Sequence, residues 1–126
     1  MGMGEGIQSY RDLVVWQDAM SLAEACYKLT RRFPREELFG LTSQIRRAAA
    51  SVPANIAEGH GRETRGAYVQ SLRVAQGSLK ELETHLLLAQ RVELAASDAI
   101  SELINTSERI GKMLRALIRA LQRSGK

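Results

Sequence analysis

The chain is short of several residue types, and each shortage closes off a class of protein. It has a single cysteine, Cys26, so no disulfide can form within one chain. That fits a reducing compartment and removes the disulfide-scaffold class. There is no run of about 18 apolar residues, hence no membrane span. The opening MGMGEGIQSY lacks the basic-then-apolar pattern of a secretion signal. These features lead to the expectation of a cytoplasmic protein of bacterial type. Aromatic residues make up only 5% of the chain, with one Trp and two Phe. Only two prolines interrupt it. A core of Leu, Ile, Val and Ala points to helices in close contact, not to a β-sandwich.

What is present is a chain of 126 residues, 44% apolar, enough for one domain and one core. The net charge of +4 is uneven. Residues 1–63 carry equal numbers of cations and anions, so the whole basic excess lies in residues 64–126. An excess of this size permits nucleic-acid binding without requiring it.

Four segments show three- and four-residue apolar spacing, the mark of amphipathic helices. The first spans about 11–33, with a stripe of Leu13, Trp16, Met20, Ala23 and Tyr27, and Ala19 and Cys26 alongside. Pro34 ends it, because the residue before proline disfavours helical backbone. The second spans about 36–58 on Leu38, Leu41, Ile45, Ala48, Val52 and Ile56. Glu36 and Glu37 are expected in its first turn, where carboxylates suit the helix dipole. Gly59 is expected as its C-terminal cap. Pro53 falls inside, and Ile56 keeps the phase, so the helix should continue past it with a kink or a loosened turn.

A loop at His60–Glu63 leads to a third helix at about 64–91, with Thr64 as N-cap. Its seam of Tyr68, Leu72, Ala75, Leu79, Leu82, Leu86 and Ala89 is a sustained heptad. Gly77 and Ser78 within it would let a neighbouring helix approach. The fourth spans about 97–122 on Ile100, Leu103, Ser107, Ile110, Leu114, Leu117 and Leu121. Short connections make sequence neighbours antiparallel. The expected fold is therefore all-α, an up-down-up-down four-helix bundle over residues 10–123 after a disordered segment at 1–9. Val14, Leu29, Phe39, Leu87, Leu88, Ile104 and Ile118 lie off the seams. They either widen the core face or mark a subunit interface.

Catalytic and metal chemistry finds little support. Glu81 and His85 share a helix face, but a di-iron bundle needs two Glu-x-x-His motifs at three-residue spacing plus two further Glu. Cys26 has no CxxC partner and lies on an apolar face, as a small buried hydrophobe does. Gly59, Gly61 and Gly66 follow a helix and not a strand, and no GK[ST] appears, so the phosphate-loop reading fails. His60 reads as an exposed loop residue. No catalytic residue, cofactor or metal site is expected.

Two basic features remain. Lys112, Arg115, Arg119 and Arg123 form one stripe on the fourth helix, opposite its seam, with Arg109 nearby and Lys126 beyond. The stripe either complements the helix dipole or binds phosphates. No aromatic residue accompanies it for base stacking. Arg46 and Arg47 flank the second helix's seam, and Arg62 and Arg65 follow it. Arg46 and Arg47 could pair with acids such as Glu58 or with another subunit, structural pairing being the default for such arginines. Arg62 and Arg65 join the stripe as nucleic-acid-binding candidates. Gln44, Arg47, Ser51, Asn55 and Glu58 run along one side of that helix and would suit a contact that sets register.

The stretch FPREELFGLTSQIRRAAASVPANIAEGHGR, residues 33–62, resembles the signature of the four-helix-bundle proteins encoded by intervening sequences in 23S ribosomal RNA genes. YRDLVVWQDAM, AQGSLKELETHLLLAQR and ERIGKMLRALIRAL resemble the same family, which extends the likeness over about residues 10–122. The resemblance implies a bacterial cytosolic bundle that assembles into a ring-like homo-oligomer, a pentamer. It also implies kinship in architecture with accessory proteins of diversity-generating retroelements, which bind nucleic acid and a reverse transcriptase. It carries over no catalytic residue. Its matching positions Gln44, Arg46, Arg47, Asn55, Glu58, Gly59 and Arg62 become candidates for an oligomer contact or a binding surface. The resulting expectation is a non-enzymatic oligomer that binds RNA or DNA through arginines, with a protein-interaction scaffold as the alternative.

Overall fold

Four helices, α1 (Val14–Thr30), α2 (Leu41–His60), α3 (Arg65–Arg91) and α4 (Ser97–Arg123), make up the fold in the computed structural model, which describes residues 7–124. Among the described residues there is no strand. Each helix packs on its neighbours in sequence, and α4 closes the bundle against α1. Named contacts set the directions. Ser51 and Ser78 share a hydroxyl hydrogen bond of 2.8 Å, while Gly59, further along α2, abuts Tyr68 and Ser71, earlier on α3. Likewise Ser107 of α4 meets Glu83, and Gly111 meets Leu79. Arg109 of α4 reaches Asp18 of α1 at 3.7 Å, and Arg46 of α2 reaches Thr30 of α1. Successive helices are thus antiparallel.

The core is aliphatic. Leu22, Ile45, Val52, Ile56, Leu72, Leu79, Leu82, Leu86, Ile100, Ile110 and Leu114 are fully buried. The seams expected on α3 and α4 lie inward, except that Tyr68, Leu117 and Leu121 are only half-buried and Ile118 is buried instead at the end of α4. α1 departs further. Its buried series is Val15, Ala19, Leu22, Ala23, Cys26 and Thr30, and Met20 and Tyr27 of the expected stripe are exposed. The helix is turned so that its smaller residues face the bundle. Trp16 lies at the margin, edge-on to Tyr10 at 5.2 Å.

Helix ends also differ from expectation. Tyr10–Asp12 form a separate 3-10 turn, in which Ser9 and Asp12 make reciprocal capping bonds. Leu13 is extended, so α1 begins at Val14. Of the segment expected to be disordered, residues 1–6 lie outside the described residues, as does Lys126. Arg35–Glu37 form another 3-10 turn, and α2 begins only at Leu41. Glu37 still serves the helix from outside, accepting from the Leu41 N–H at 3.2 Å. Leu38 is exposed. α2 runs unbroken through Pro53 to His60. Gly59 is therefore interior, and its missing side chain lets α3 approach; the cap is Gly61. His60 is the last helical residue and not a free loop residue, its ring edge-on to Tyr68 at 5.9 Å. Thr64 caps α3, accepting from the Ala67 N–H at 3.1 Å.

The α3–α4 connection is a Schellman turn built without glycine. Leu94 N–H bonds to Ala89 O at 2.8 Å and Glu93 N–H to Gln90 O at 3.0 Å. Glu93 occupies the left-handed position with φ 65°.

Of the off-seam apolar residues, Ile118 belongs to the core and Leu29 and Ile104 pack against it. Val14, Phe39, Leu87 and Leu88 are exposed, Phe39 at 90%.

Candidate nucleic-acid interface

Lys112, Arg115, Arg119 and Arg123 are all exposed along α4, opposite the buried Ile110 and Leu114. Arg109 leaves this set, since its guanidinium turns to Asp18. The first two cations of the stripe border a groove between α3 and α4 of about 510 Å³. The opposite wall carries Arg73 and Lys80. Gly77 and Gly111 lie between the walls, and a Cβ on Gly77 would meet nothing within 4 Å. The groove exists because two helices each present a residue without a side chain at the same level. Gly77, read from sequence as an approach point for a helix, faces this open space; Ser78 makes the close contact, with α2.

Two carboxylates offset the four cations of the groove, Glu108 and Glu83. Glu83 is set deep, with its side chain 13% exposed. It accepts from the fully buried Ser107 hydroxyl at 2.6 Å and from Lys80 Nζ at 3.2 Å. A carboxylate has about four lone-pair sites, so acceptor capacity remains on this side chain, which lines the groove.

Arg62 and Arg65 stand at the same end of the bundle as Arg119 and Arg123. The register that sets Ser107 beside Glu83 and Gly111 beside Leu79 brings the C-terminal turns of α4 level with the first turns of α3. Arg62 is paired with Glu58 at 2.9 Å, and both are exposed. Arg65 is exposed. Arg62 and Arg65 of the second basic feature thus share one end of the bundle with the stripe, while Arg46, bonded to Thr30 at the end of α1, lies apart from it. Arg73 and Lys80 escaped the sequence reading. The signal was their recurrence with Gln76 and Glu83 at three- and four-residue spacing on the polar side of α3.

The polar residues of α2 divide. Arg46 is used within the chain: Nε donates to Thr30 Oγ1 at 2.8 Å, Nη2 to Tyr27 O at 3.4 Å, and the guanidinium lies 4.6 Å from the Tyr27 ring centroid. It closes the C-terminal end of α1, where a cation suits the dipole. Ser51 and Asn55 form a small network with Ser78, in which Asn55 Nδ2 donates to Ser51 O at 2.8 Å and to Ser51 Oγ at 3.0 Å. Arg47 is exposed and donates only locally, to Gln44 at 3.2 Å.

A second, apolar groove of about 340 Å³ lies where α1 meets α2, bordered by Trp16, Met20, Ala50, Pro53 and Ala54. His85 Nε2 lies 3.5 Å from Glu81 Oε2 without a hydrogen bond, and among the described residues no group of three His, Cys, Asp or Glu could hold a metal ion. Burial of Cys26 pushes its thiol pKa up to about 12, far from a reactive thiolate. Among the described residues no helix is long and apolar enough to cross a membrane.

No functionally curated protein matches the sequence. A solved structure does: a protein of unknown function from the S23 ribosomal protein family of Bacteroides thetaiotaomicron. It superposes with a TM-score of 0.75 at 26% identity, covering 82% of this chain and 97% of that one. Neither this neighbour nor the family points to catalysis. The sequence model of the 23S rRNA-intervening sequence protein family matches residues 11–116, which takes in all of α1 to α3 and most of α4 up to Ala116, and the chain belongs to that family.

Proposed function

We propose that this protein is a non-enzymatic, cytoplasmic homo-oligomer that binds structured RNA, and DNA by the same phosphate chemistry. The observation that carries the reading is that Arg73, Lys112 and Arg115 border one groove, with Arg119 and Arg123 exposed further along α4 and Arg65 exposed at the start of α3. Phosphate contacts from such side chains bind without regard to sequence and release counterions. A ring of copies, a pentamer in the family likeness, multiplies a modest patch through avidity. The apolar α1–α2 groove beside Trp16 and Met20 supports self-association.

Filter retention of a structured RNA and of duplex DNA across about 50 to 200 mM salt tests the proposal. Retention should fall steeply with salt. Changing Arg115, Arg119 and Arg123 together to Ser should weaken it and flatten the logarithmic salt slope by about 2 on single-stranded and 3 on duplex targets. No retention of either nucleic acid at low salt overturns it. Light scattering reads the assembly, and a 14.0 kDa particle overturns the ring.

A second reading has its own observation. Phe39 is 90% exposed, and Leu87 and Leu88 are exposed together on α3. A protein scaffold would dock a partner there. Recovery of one defined partner from nuclease-treated lysate, lost on Phe39→Ser, supports it.

A further inference from the structure

We propose that the α3–α4 groove is a binding site for a guanine nucleotide, with Glu83 reading the base edge and Arg73, Lys112 and Arg115 holding the phosphate. The proposal deepens the phosphate-binding reading above and rests on it for the role of the cations. A surface meant only for phosphates has no use for a carboxylate set among its arginines. Glu83 nevertheless opens into the groove, oriented by the buried Ser107 hydroxyl at 2.6 Å. That bond fixes the carboxylate and leaves acceptor sites unused.

The ligand such a group recognises must be anionic at one end and offer hydrogen-bond donors at the other. Among the bases, guanine alone presents a ring N–H and an amino group side by side, the pair a carboxylate takes in a bidentate manner. Guanine also carries the O6 and N7 acceptors that lysine serves well. Lys80 is placed for that. Its Nζ lies 3.2 Å from Glu83, and its side chain is 74% exposed, so it can leave the carboxylate at little cost. Two helical turns, about 10 Å along the axis, separate Glu108, near the carboxylate end, from Arg115 at the cationic end. That is the order of length from base to phosphate in one nucleotide. The lining has no aromatic ring, so recognition falls to the base edge, with the glycine backbones of Gly77 and Gly111 as the floor. The volume of about 510 Å³ is that of a small-molecule site.

Equilibrium titration of the full chain with GMP, IMP and AMP tests the assignment. GMP should bind about ten-fold or more tightly than AMP, with IMP, which lacks the amino group, between them. Glu83→Gln should abolish the preference, so that GMP and AMP bind alike. Should that variant fail to fold, the order of the three nucleotides on the wild-type chain decides alone. Equal affinities, or no binding of any of the three, overturn the proposal. Retention of long RNA in the same buffer is read separately. RNA retained without a preference for GMP overturns the groove assignment and leaves the phosphate surface standing. A preference for GMP without RNA retention supports the groove and removes the nucleic-acid reading.

Discussion

A Cβ placed on Gly59 would stand 2.8 Å from the Cβ of Ser71 and 3.0 Å from the Tyr68 ring. Helices α2 and α3 touch there almost backbone to backbone, with Tyr68 O 3.3 Å from the same point. Neither a Cβ nor a helical carbonyl can swing aside, so the helices must part. Gly59→Ala should therefore destabilise the protein. The overpacking penalty of about 1–3 kcal/mol exceeds the gain in helix propensity of about 1 kcal/mol. A lowered urea midpoint at unchanged slope is the expected result. An unchanged or raised midpoint would show that the crossing has slack.

Glu93 poses the opposite case. It holds the left-handed position of the Schellman turn at φ 65°, where a side chain costs about 1–2 kcal/mol. Glycine adopts that backbone freely but loses more entropy on folding. Glu93→Gly should thus stabilise the protein by about 0.5–1 kcal/mol. Thermal unfolding reads this as a rise of a few degrees. A fall would mean that the Glu93 side chain makes a contact outweighing its strain.

These two positions show where sequence reasoning stopped. The heptads of α3 and α4 were legible because seven successive seam positions share one phase. On α1 two apolar series interleave, Leu13-Trp16-Met20-Ala23-Tyr27 and Val15-Ala19-Leu22-Cys26, both with helical spacing. Periodicity cannot rank them, and size favours the wrong one. The bundle buries the smaller series because close helix approach excludes Trp16 and Tyr27 from the centre. The exposed stripe on α4 followed from its phase alone. The groove did not, because it needs Gly77 and Gly111, 34 positions apart, to arrive at one level. The partnership of Arg46 with Thr30 and Tyr27 is likewise a property of packing and not of spacing.

The buried thiol of Cys26 makes stability depend on alkaline pH. Its pKa rises from 9.0 to about 12 because burial disfavours the thiolate. The unfolded thiol ionises at the lower value. Below about pH 9 both states are protonated and the folded state keeps its full advantage. Above it the unfolded state alone loses the proton, and stability falls until the folded pKa is reached. The slope from this group is at most about 1.4 kcal/mol per pH unit. Tyr68, also raised by burial, adds in the same direction above the ordinary tyrosine value of 10.0. Urea midpoints measured from pH 8 upward on wild type and Cys26→Ala should diverge in slope, the variant falling less steeply. Parallel curves would show that the thiol is not sealed.

The pair of Arg62 and Glu58 gives the phosphate-surface reading a test of sign. Most substitutions that touch a binding surface weaken it, for many reasons. Here one substitution should strengthen it. Glu58 holds the Arg62 guanidinium at 2.9 Å, and both side chains are about half exposed. The pair contributes little to folding, as exposed ion pairs do, about 0.2–1 kcal/mol. Yet it occupies an arginine at the basic end and places an anion where a phosphate would approach. Glu58→Gln removes the anion, frees Arg62 and leaves the helix intact. Affinity for structured RNA should rise up to about five-fold, the equivalent of 1 kcal/mol, with a steeper salt dependence as one more cation engages. Arg62→Ser should do the reverse, since it removes a cation and leaves Glu58 uncompensated. If both substitutions lower affinity equally, the ion pair matters as a structural clasp between α2 and the loop to α3, and phosphate binding lies elsewhere on the bundle.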